Sequence, residues 1–263
     1  MKVIGRWGAT LSLLGSAVVG SSLIGNTQAL ALPQEQILQK LGPVPVFTIT
    51  DNKGAPLVAS VPNTQNKAGV AGVFINQGDA QAFVEQLKKK NPDLAKNVRV
   101  VPVSLGEVYK LDQANQNKPN ALDFAYVPAK QEVDAAQALL RQGGQKVEQF
   151  NGTPLFVARA GSEKGYLTIK EANNQQVIPF FFNKQELQTM LERFKQQQPK
   201  LAPTIEIQVV NLEGVIETLQ KRNDNQLNQI VLVPPKASID FVRSLQPANA
   251  QNQKPAATQQ QRP

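Results

Sequence analysis

Any catalysis by this chain would have to use carboxylates, lysines or tyrosines, because its 263 residues include neither cysteine nor histidine. Disulfide bonds, thiol nucleophiles, the Ser-His-Asp triad and zinc sites built from Cys or His are thereby excluded. The acidic residues that recur along the chain, Glu85 with Glu192 and Asp134 with Asp240, have no second carboxylate at a catalytic spacing. We interpret them as surface charges, and we expect no catalytic residues, no cofactor and no metal site.

Three consecutive lysines, Lys88-Lys89-Lys90, could bind the phosphates of a polyanion. The matching segment later in the chain is Lys195-Gln196-Gln197, and neither segment has interleaved aromatic residues that stack on bases. A solvated helix end explains the lysines better, so we expect no nucleic-acid partner.

Residues 1–31 have the three parts of a secretory signal peptide. Lys2 and Arg6 precede an apolar stretch rich in Gly and Ser, and the segment ends in a small-x-small sequence at Ala31. The stretch is shorter than the roughly 20 residues of a transmembrane helix, which argues against a membrane anchor. We expect cleavage near Leu32, no stable membrane insertion, and a formal charge of +6 in place of +8 after Lys2 and Arg6 are removed.

Two segments of about 105 residues repeat each other along the rest of the chain. FVEQLKKKNPDL at 83–94 returns as MLERFKQQQPKL at 190–201, a shift of 107 residues that holds without a gap from Gly72 to Leu111. We interpret this as a tandem duplication, with the repeats packed about an approximate two-fold axis. The predicted organisation is a signal peptide over 1–31, a first repeat over 32–143, a second repeat over 144–246 and a disordered Gln- and Pro-rich tail over 247–263.

Each repeat is predicted to be an α+β or α/β unit with a mixed sheet. A short helix opens the repeat, and a hairpin with a Gly-containing turn follows. An apolar strand then leads into an amphipathic helix, with Asn76 or Asn183 as its N-cap and Pro92 or Pro199 after its end. A strand, a short helix, a last strand and a last helix complete the repeat.

The run Phe180-Phe181-Phe182 leaves two interpretations open. Neighbouring side chains in a strand point to opposite faces, so Phe181 is predicted to face away from the other two. Either the strand is buried on both faces, by helices and by the other repeat, or one face opens into an apolar groove that receives extended or unfolded polypeptide.

Four segments stand out in the duplicated layout: GVAGVFIN, VPVSLGEVY and LDFAYVPA in the first repeat, and GTPLFVARAG at the start of the second. Together with these segments, the layout resembles the Tic twenty-two family in its cyanobacterial branch. The resemblance extends from about Pro33 to Leu245. It implies a butterfly-shaped periplasmic protein with hydrophobic pockets that chaperones precursor proteins or assists outer-membrane biogenesis beside the β-barrel assembly machinery. A secretory signal stands where the plant members have a transit peptide, so plastid import is not implied.

We therefore expect a non-enzymatic periplasmic chaperone or protein-transport factor, with the thylakoid lumen as the alternative location. Its expected partners are unfolded or precursor proteins and the outer-membrane β-barrel assembly machinery. A carrier of a small apolar ligand or lipid is the second hypothesis, which a closed cavity would favour, and a hydrolase built on carboxylates is the third. The candidate client-binding side chains are large, apolar and present in both repeats: Phe47, Phe74, Tyr109, Tyr126, Phe156, Phe181 and Ile216.

Overall fold

A computed structural model describes residues 11–13, 31–59, 67–116, 118, 121–171, 173–222 and 224–245. Most of the predicted signal peptide and all of the predicted tail lie outside these ranges, so both stay predictions. Within the signal segment the structure describes Ala31 and a short strand, β1 (Leu11–Leu13).

The first half of the described chain begins with a helix and then alternates strands with helices. Its elements are α1 (Gln34–Leu41), β2 (Pro45–Asp51), β3 (Val58–Ala59), β4 (Lys67–Phe74), α2 (Gln77–Lys90), α3 (Pro92–Ala95), β5 (Val98–Ser104), α4 (Leu105–Asn115), β6 (Ala121–Val127) and α5 (Lys130–Gln142).

The second half has nearly the same order of elements. They are β7 (Pro154–Ala160), β8 (Gly165–Lys170), β9 (Gln176–Phe181), α6 (Lys184–Gln197), a 3-10 turn (Ala202–Thr204), β10 (Glu206–Asn211), α7 (Leu212–Lys221), α8 (Asn225–Gln229), β11 (Ile230–Val233) and α9 (Lys236–Ser244). α2 and α6 both contain 14 residues and begin 107 residues apart, so Phe83 and Met190 lie on matching helices.

The helix starts follow from side chains that cap free backbone amides. The Asn76 side chain accepts a hydrogen bond of 2.7 Å from the Gly78 amide, and the Asn183 side chain accepts one of 2.9 Å from the Glu186 amide. Ser104 and Glu107 form a reciprocal capping box at the start of α4. These caps confirm the predicted helix starts.

The short helix predicted at the start of the second repeat is wrong, because residues 144–153 form no helix. Gly144 and Gly152 adopt positive φ angles of 82° and 90° in this segment, a left-handed conformation that is incompatible with a right-handed helix. A Cβ atom at Gly152 would lie 2.6 Å from the Glu213 carboxylate, so the segment passes close to the start of α7.

Both sheets are mixed, as predicted, and they share one strand order. In the first sheet β5, β2, β4 and β6 lie side by side, and β3 pairs with β4. In the second sheet β10, β7, β9 and β11 follow the same order, and β8 pairs with both β7 and β9. The β4–β6 and β9–β11 pairs are parallel, whereas the pairs of β2 with β5 and of β7 with β10 are antiparallel.

The described residues form three core clusters, which we name by their position. The central cluster combines Val46 and Val73 of the first sheet with Leu155 and Val157 of the second, together with side chains of α1, α4 and α7. The α2 cluster lies on the opposite face of the first sheet, and the α6 cluster lies on the opposite face of the second. Each sheet is therefore covered on both faces.

The last helix of each half packs on the sheet of the other half. Ala136 of α5 is buried in the α6 cluster, against the second sheet. Phe241 of α9 packs on the α2 cluster, with its ring centroid 5.6 Å from that of Phe47 in β2. The two halves consequently exchange their terminal helices and share one folded body.

Candidate functional site

The predicted client-binding residues lie in all three clusters of the core. Phe47 and Phe74 belong to the α2 cluster, Tyr109, Tyr126 and Ile216 belong to or pack on the central cluster, and Phe156 and Phe181 belong to the α6 cluster. Six of the seven are buried, with exposures from 0% to 8%, and Tyr126 is partly buried. The structure therefore distributes them among the clusters and does not gather them into one site.

The three consecutive phenylalanines show how this burial arises. Phe180 and Phe182 belong to the central cluster, whereas Phe181 belongs to the α6 cluster. The predicted alternation is confirmed. β9 is buried on both faces, as the first of the two open interpretations required.

Tyr126 is the predicted client-binding residue whose pKa is shifted by its surroundings. Burial raises the pKa of its phenol above the ordinary value, and the charges of Asp112 and Glu213 add to the effect. The shift reflects the partly buried position of the phenol beside two acidic side chains.

The apolar stripe of α2 is only partly covered, unlike that of α6. In α6, Leu187, Leu191 and Phe194 are all buried. In α2, Ala80 and Val84 are buried, but Phe83 is 43% exposed although its ring centroid is 5.7 Å from that of Phe74.

The spacing of Ala80, Phe83, Val84 and Leu87 at i, i+3, i+4 and i+7 predicts one packed stripe on α2, and the exposure of Phe83 differs from that prediction. The small side chain of Ala80, where α6 has Leu187, was the available signal. Other large apolar side chains that are at least 38% exposed are Val58, Leu94, Leu111 and Leu245. The seven predicted client-binding residues are not among these exposed side chains, and their role in binding stays a prediction.

Tyr109 is the predicted site residue that lines an open cleft. The cleft has a volume of about 360 Å³ and is lined by Leu32, Gln34, Ile37, Tyr109, Gln113, Gln116 and Gln220. The Tyr109 hydroxyl accepts a hydrogen bond of 3.1 Å from the side-chain amide of Gln220. The lining thus combines four glutamines with the apolar side chains of Leu32 and Ile37 and the ring of Tyr109.

A second cavity lies where the starts of four helices meet. Its volume is about 170 Å³, and its lining includes the residues just before α2, α5, α6 and α9, namely Asn76, Ala129, Asn183 and Pro235. We call it the junction cavity because both halves contribute to it. The positive ends of the helix dipoles meet there, and the acidic side chains of Asp79 and Glu132 are in its wall.

Glu132 is a buried carboxylate that connects the two halves at this cavity. It is 6% exposed and accepts hydrogen bonds of 2.9 Å from the Asn183 side chain and from the Lys184 amide. Burial raises the pKa of Glu132, and the hydrogen bond from the Lys184 amide opposes that shift. Burial also raises the pKa of Asp79, whose Oδ2 atom has no hydrogen-bond partner among the described residues.

The remaining acidic candidates form exposed ion pairs with lysines one helical turn away. The pairs are Lys88–Glu85 at 2.7 Å, Lys195–Glu192 at 3.1 Å, Lys130–Asp134 at 2.6 Å, and Lys236–Asp240. Such exposed pairs contribute little to stability, and they agree with the interpretation of these acids as surface charges. Lys88, the first of the three consecutive lysines, is engaged in this way.

Neither a metal centre nor a membrane span is visible in the described ranges. Among those residues no group of three or more acidic side chains is arranged to hold a metal ion. Within the same part of the chain, each helix is too short or too polar to cross a bilayer.

The sequence pattern of the Tic22-like family matches residues 1–244. The chain belongs to this family. The resemblance seen in the sequence is thereby confirmed.

Solved structures agree with the family assignment. A protein titled "Anabaena Tic22 (protein transport)" superposes with a TM-score of 0.74 at 38% identity, over 82% of this chain and 99% of its own. Tic22 from Plasmodium falciparum superposes with a TM-score of 0.60 at 22% identity, over 80% and 96% of the two chains, and shows the same fold.

Plant relatives are more distant. "Protein TIC 22-like, chloroplastic" from Arabidopsis thaliana is 24% identical over 78% of this chain, which spans 62% of that relative's length. "Protein TIC 22, chloroplastic" from Pisum sativum is 21% identical over 86% of this chain and 83% of its own.

Proposed function

We propose that this member of the Tic22-like family is a periplasmic chaperone and protein-transport factor that holds non-native polypeptides and assists outer-membrane protein biogenesis. The observation that carries the proposal is the match to Anabaena Tic22, described as a protein of protein transport, over 82% of this chain and 99% of that one. The periplasmic location depends on the predicted signal peptide, and the thylakoid lumen is the alternative. Clients and the β-barrel assembly machinery are the proposed partners.

Exposed apolar side chains provide the proposed contact surface. Phe83 is the largest of them, and it stands on α2 with part of its ring packed on Phe74 and part exposed. Covering such side chains gains roughly 25 cal/mol per Å² before ordering costs are subtracted. The resulting affinity is weak and reversible, which suits a factor that must release its client.

We also infer that the two halves arose by tandem duplication and pack about an approximate two-fold axis. The shared strand order, the shift of 107 residues between α2 and α6, and the exchange of α5 and α9 support this inference. Under this arrangement, Glu132 and Ser238 occupy matching places. Glu132 binds the start of α6, and the Ser238 hydroxyl donates a hydrogen bond of 3.2 Å to the carbonyl of Ile75, just before α2.

The alternative functions have less support. A lipid carrier needs an apolar enclosure, whereas the cleft at Tyr109 is open and rimmed by glutamines and the junction cavity is rich in polar groups. For a hydrolase, the junction cavity does hold two carboxyls with raised pKa. However, both oxygens of Glu132 already accept hydrogen bonds that hold α6 in place.

An aggregation assay tests the proposed function. An outer-membrane β-barrel protein diluted from urea should aggregate more slowly in the presence of the full chain. Phe83→Ser should reduce this protection, while Gln86→Ser, an exposed polar change one turn along α2, should leave it intact. If the full chain gives no protection at any ratio, the chaperone proposal is wrong.

A further inference from the structure

The strand β1 occupies one edge of β8. The two strands pair in antiparallel register, with Leu11 opposite Ile169, Ser12 opposite Thr168 and Leu13 opposite Leu167. Ile169 also pairs with Val177 of β9. Because a strand residue has one partner on each side, β1 covers the edge of β8 that faces away from β9 at this point.

Residues 11–13 belong to the segment whose removal we predict, so the chain is expected to lose this partner on maturation. A strand edge without its partner presents backbone N–H and C=O groups that bind another extended chain readily. Antiparallel addition of a peptide to such an edge is a general mode of recognition, in which backbone hydrogen bonds supply affinity and alternate side chains supply selectivity.

We propose that the edge of β8 at residues 167–169 is an acceptor site for an extended β-strand. Residues 11–13 fill it while the signal peptide is attached, and a β-strand segment of a client fills it afterwards. The inference rests on the proposed function. It adds a second contact with the client, made by backbone hydrogen bonds, to the contact made by the exposed apolar side chains.

The register shows which client segment fits. Two apolar residues, Leu11 and Leu13, are opposite two apolar residues of β8, and a hydroxyl residue is opposite a hydroxyl residue between them. Matched cross-strand pairs of this kind favour pairing. Apolar and polar residues alternate in this pattern, as they do along the strands of outer-membrane β-barrels. Combined with the proposed function, this pattern favours an alternating strand segment of a β-barrel precursor as the occupant.

The test uses the full chain and a labelled peptide with the sequence of residues 9–15, ATLSLLG, extended by lysines for solubility. The double variant Leu11→Pro/Ser12→Pro removes one backbone amide from each edge of β1 and disfavours its pairing with β8, so it should open the site. Leu11→Val/Ser12→Thr, which retains strand propensity, is the matched control. Binding measured by fluorescence anisotropy should be at least tenfold tighter to the proline variant than to this control. Equal binding, or none to either, would overturn the proposal.

Modified peptides show whether the contact is made by the backbone. The amides of residues 11 and 13 point to one edge of the peptide strand and that of residue 12 points to the other. N-methylation of one set should therefore abolish binding, and N-methylation of the other should not. Abolition by both sets, or by neither, would contradict strand addition.

A disulfide assay tests occupation by the signal peptide independently of peptide binding. The chain contains no cysteine, so the full-chain double variant Ser12→Cys/Thr168→Cys should crosslink under mild oxidation. Ser12→Cys/Gln81→Cys should not. Failure of the first pair to crosslink overturns the proposal.

A final competition separates this inference from the function on which it rests. If an unfolded β-barrel protein binds the chain but the peptide neither binds nor displaces it, the strand site is wrong and the chaperone function stands. If the peptide binds but no client does, the chaperone function is wrong, and so is the client's place at β8.

Discussion

The Glu132 carboxylate accepts a hydrogen bond of 2.9 Å from the side-chain amide of Asn183, although the two residues belong to different halves of the chain. Asn183 is at the same time the N-cap of α6, because its side-chain oxygen accepts the Glu186 amide. α5 is thus held at the start of the helix that covers the second sheet. Mutations at this contact therefore test how much the packing of α5 on the second half stabilises the fold.

Replacing Glu132 with Ala should destabilise the fold by about 1–3 kcal/mol, because the Asn183 side chain and the Lys184 amide would lose their shared acceptor in a buried place. Asp134→Ala on the same helix is the matched control. Its carboxylate forms an exposed pair with Lys130, so the change should stay within about 0.5 kcal/mol. Urea unfolding of the three chains measures both effects, and an equal loss in both variants would refute the role given to Glu132.

The stability of the fold should depend on pH through the same carboxyl. Burial raises the pKa of Glu132 in the folded state above its ordinary value of about 4.3. The folded state then binds the proton more tightly than the unfolded state, so the contribution of Glu132 to the unfolding free energy is greatest below about pH 4.3 and is lost as the pH rises through the raised pKa.

This part of the pH dependence should disappear in Glu132→Gln. We therefore expect the difference in unfolding free energy between Glu132→Gln and the natural chain to be different at about pH 4 and at about pH 7. A constant difference across this range would show that Glu132 titrates at the same pH in the folded and unfolded states.

The two helix caps should differ in strength. Asn76→Ala removes one hydrogen bond to the Gly78 amide and should cost about 1 kcal/mol. Asn183→Ala removes the matching cap and also the donor to Glu132, so it should cost more. In a double-mutant cycle by urea unfolding, Asn183→Ala and Glu132→Ala should be non-additive. Additive losses would mean that the Glu132–Asn183 bond contributes nothing.

Core and surface phenylalanines should respond in opposite ways. Phe47 is fully buried beside Phe241, so Phe47→Ala should cost about 3–5 kcal/mol. Phe83 is 43% exposed, and Phe83→Ser should cost far less while it weakens client binding. Thermal unfolding and the aggregation assay together check this difference. If Phe83→Ser unfolds the chain, Phe83 is an ordinary core residue.

The local elements were predictable from the sequence because short-range signals determine them. Asn76 and Asn183 start helices of equal length, and Pro92 follows the end of α2, as the pattern indicated. The same signals gave the alternation of Phe181 with its neighbours. The helix predicted before Pro154 failed because two glycines with positive φ angles break that segment.

The exchange of the terminal helices could not be predicted from the sequence. The spacing of apolar residues in α5 predicts a packed face but does not say which sheet it covers, and in the structure Ala136 contacts the second one. The sequence also could not separate core residues from a binding surface, and the seven client-binding residues stay a prediction. Large apolar residues such as Phe47 and Phe156 are as typical of a core as of a groove, and both are fully buried.

Crosslinking in living cells tests the central claim most directly, namely that this chain holds non-native polypeptides on its exposed apolar side chains. A photoreactive amino acid is placed at Phe83 in the full chain, and the control places it at Gln81, an exposed polar position on the same helix. The account predicts crosslinks from position 83 to outer-membrane β-barrel precursors, and few or none from position 81. The absence of crosslinks from position 83, or equal crosslinking from both positions, would contradict it.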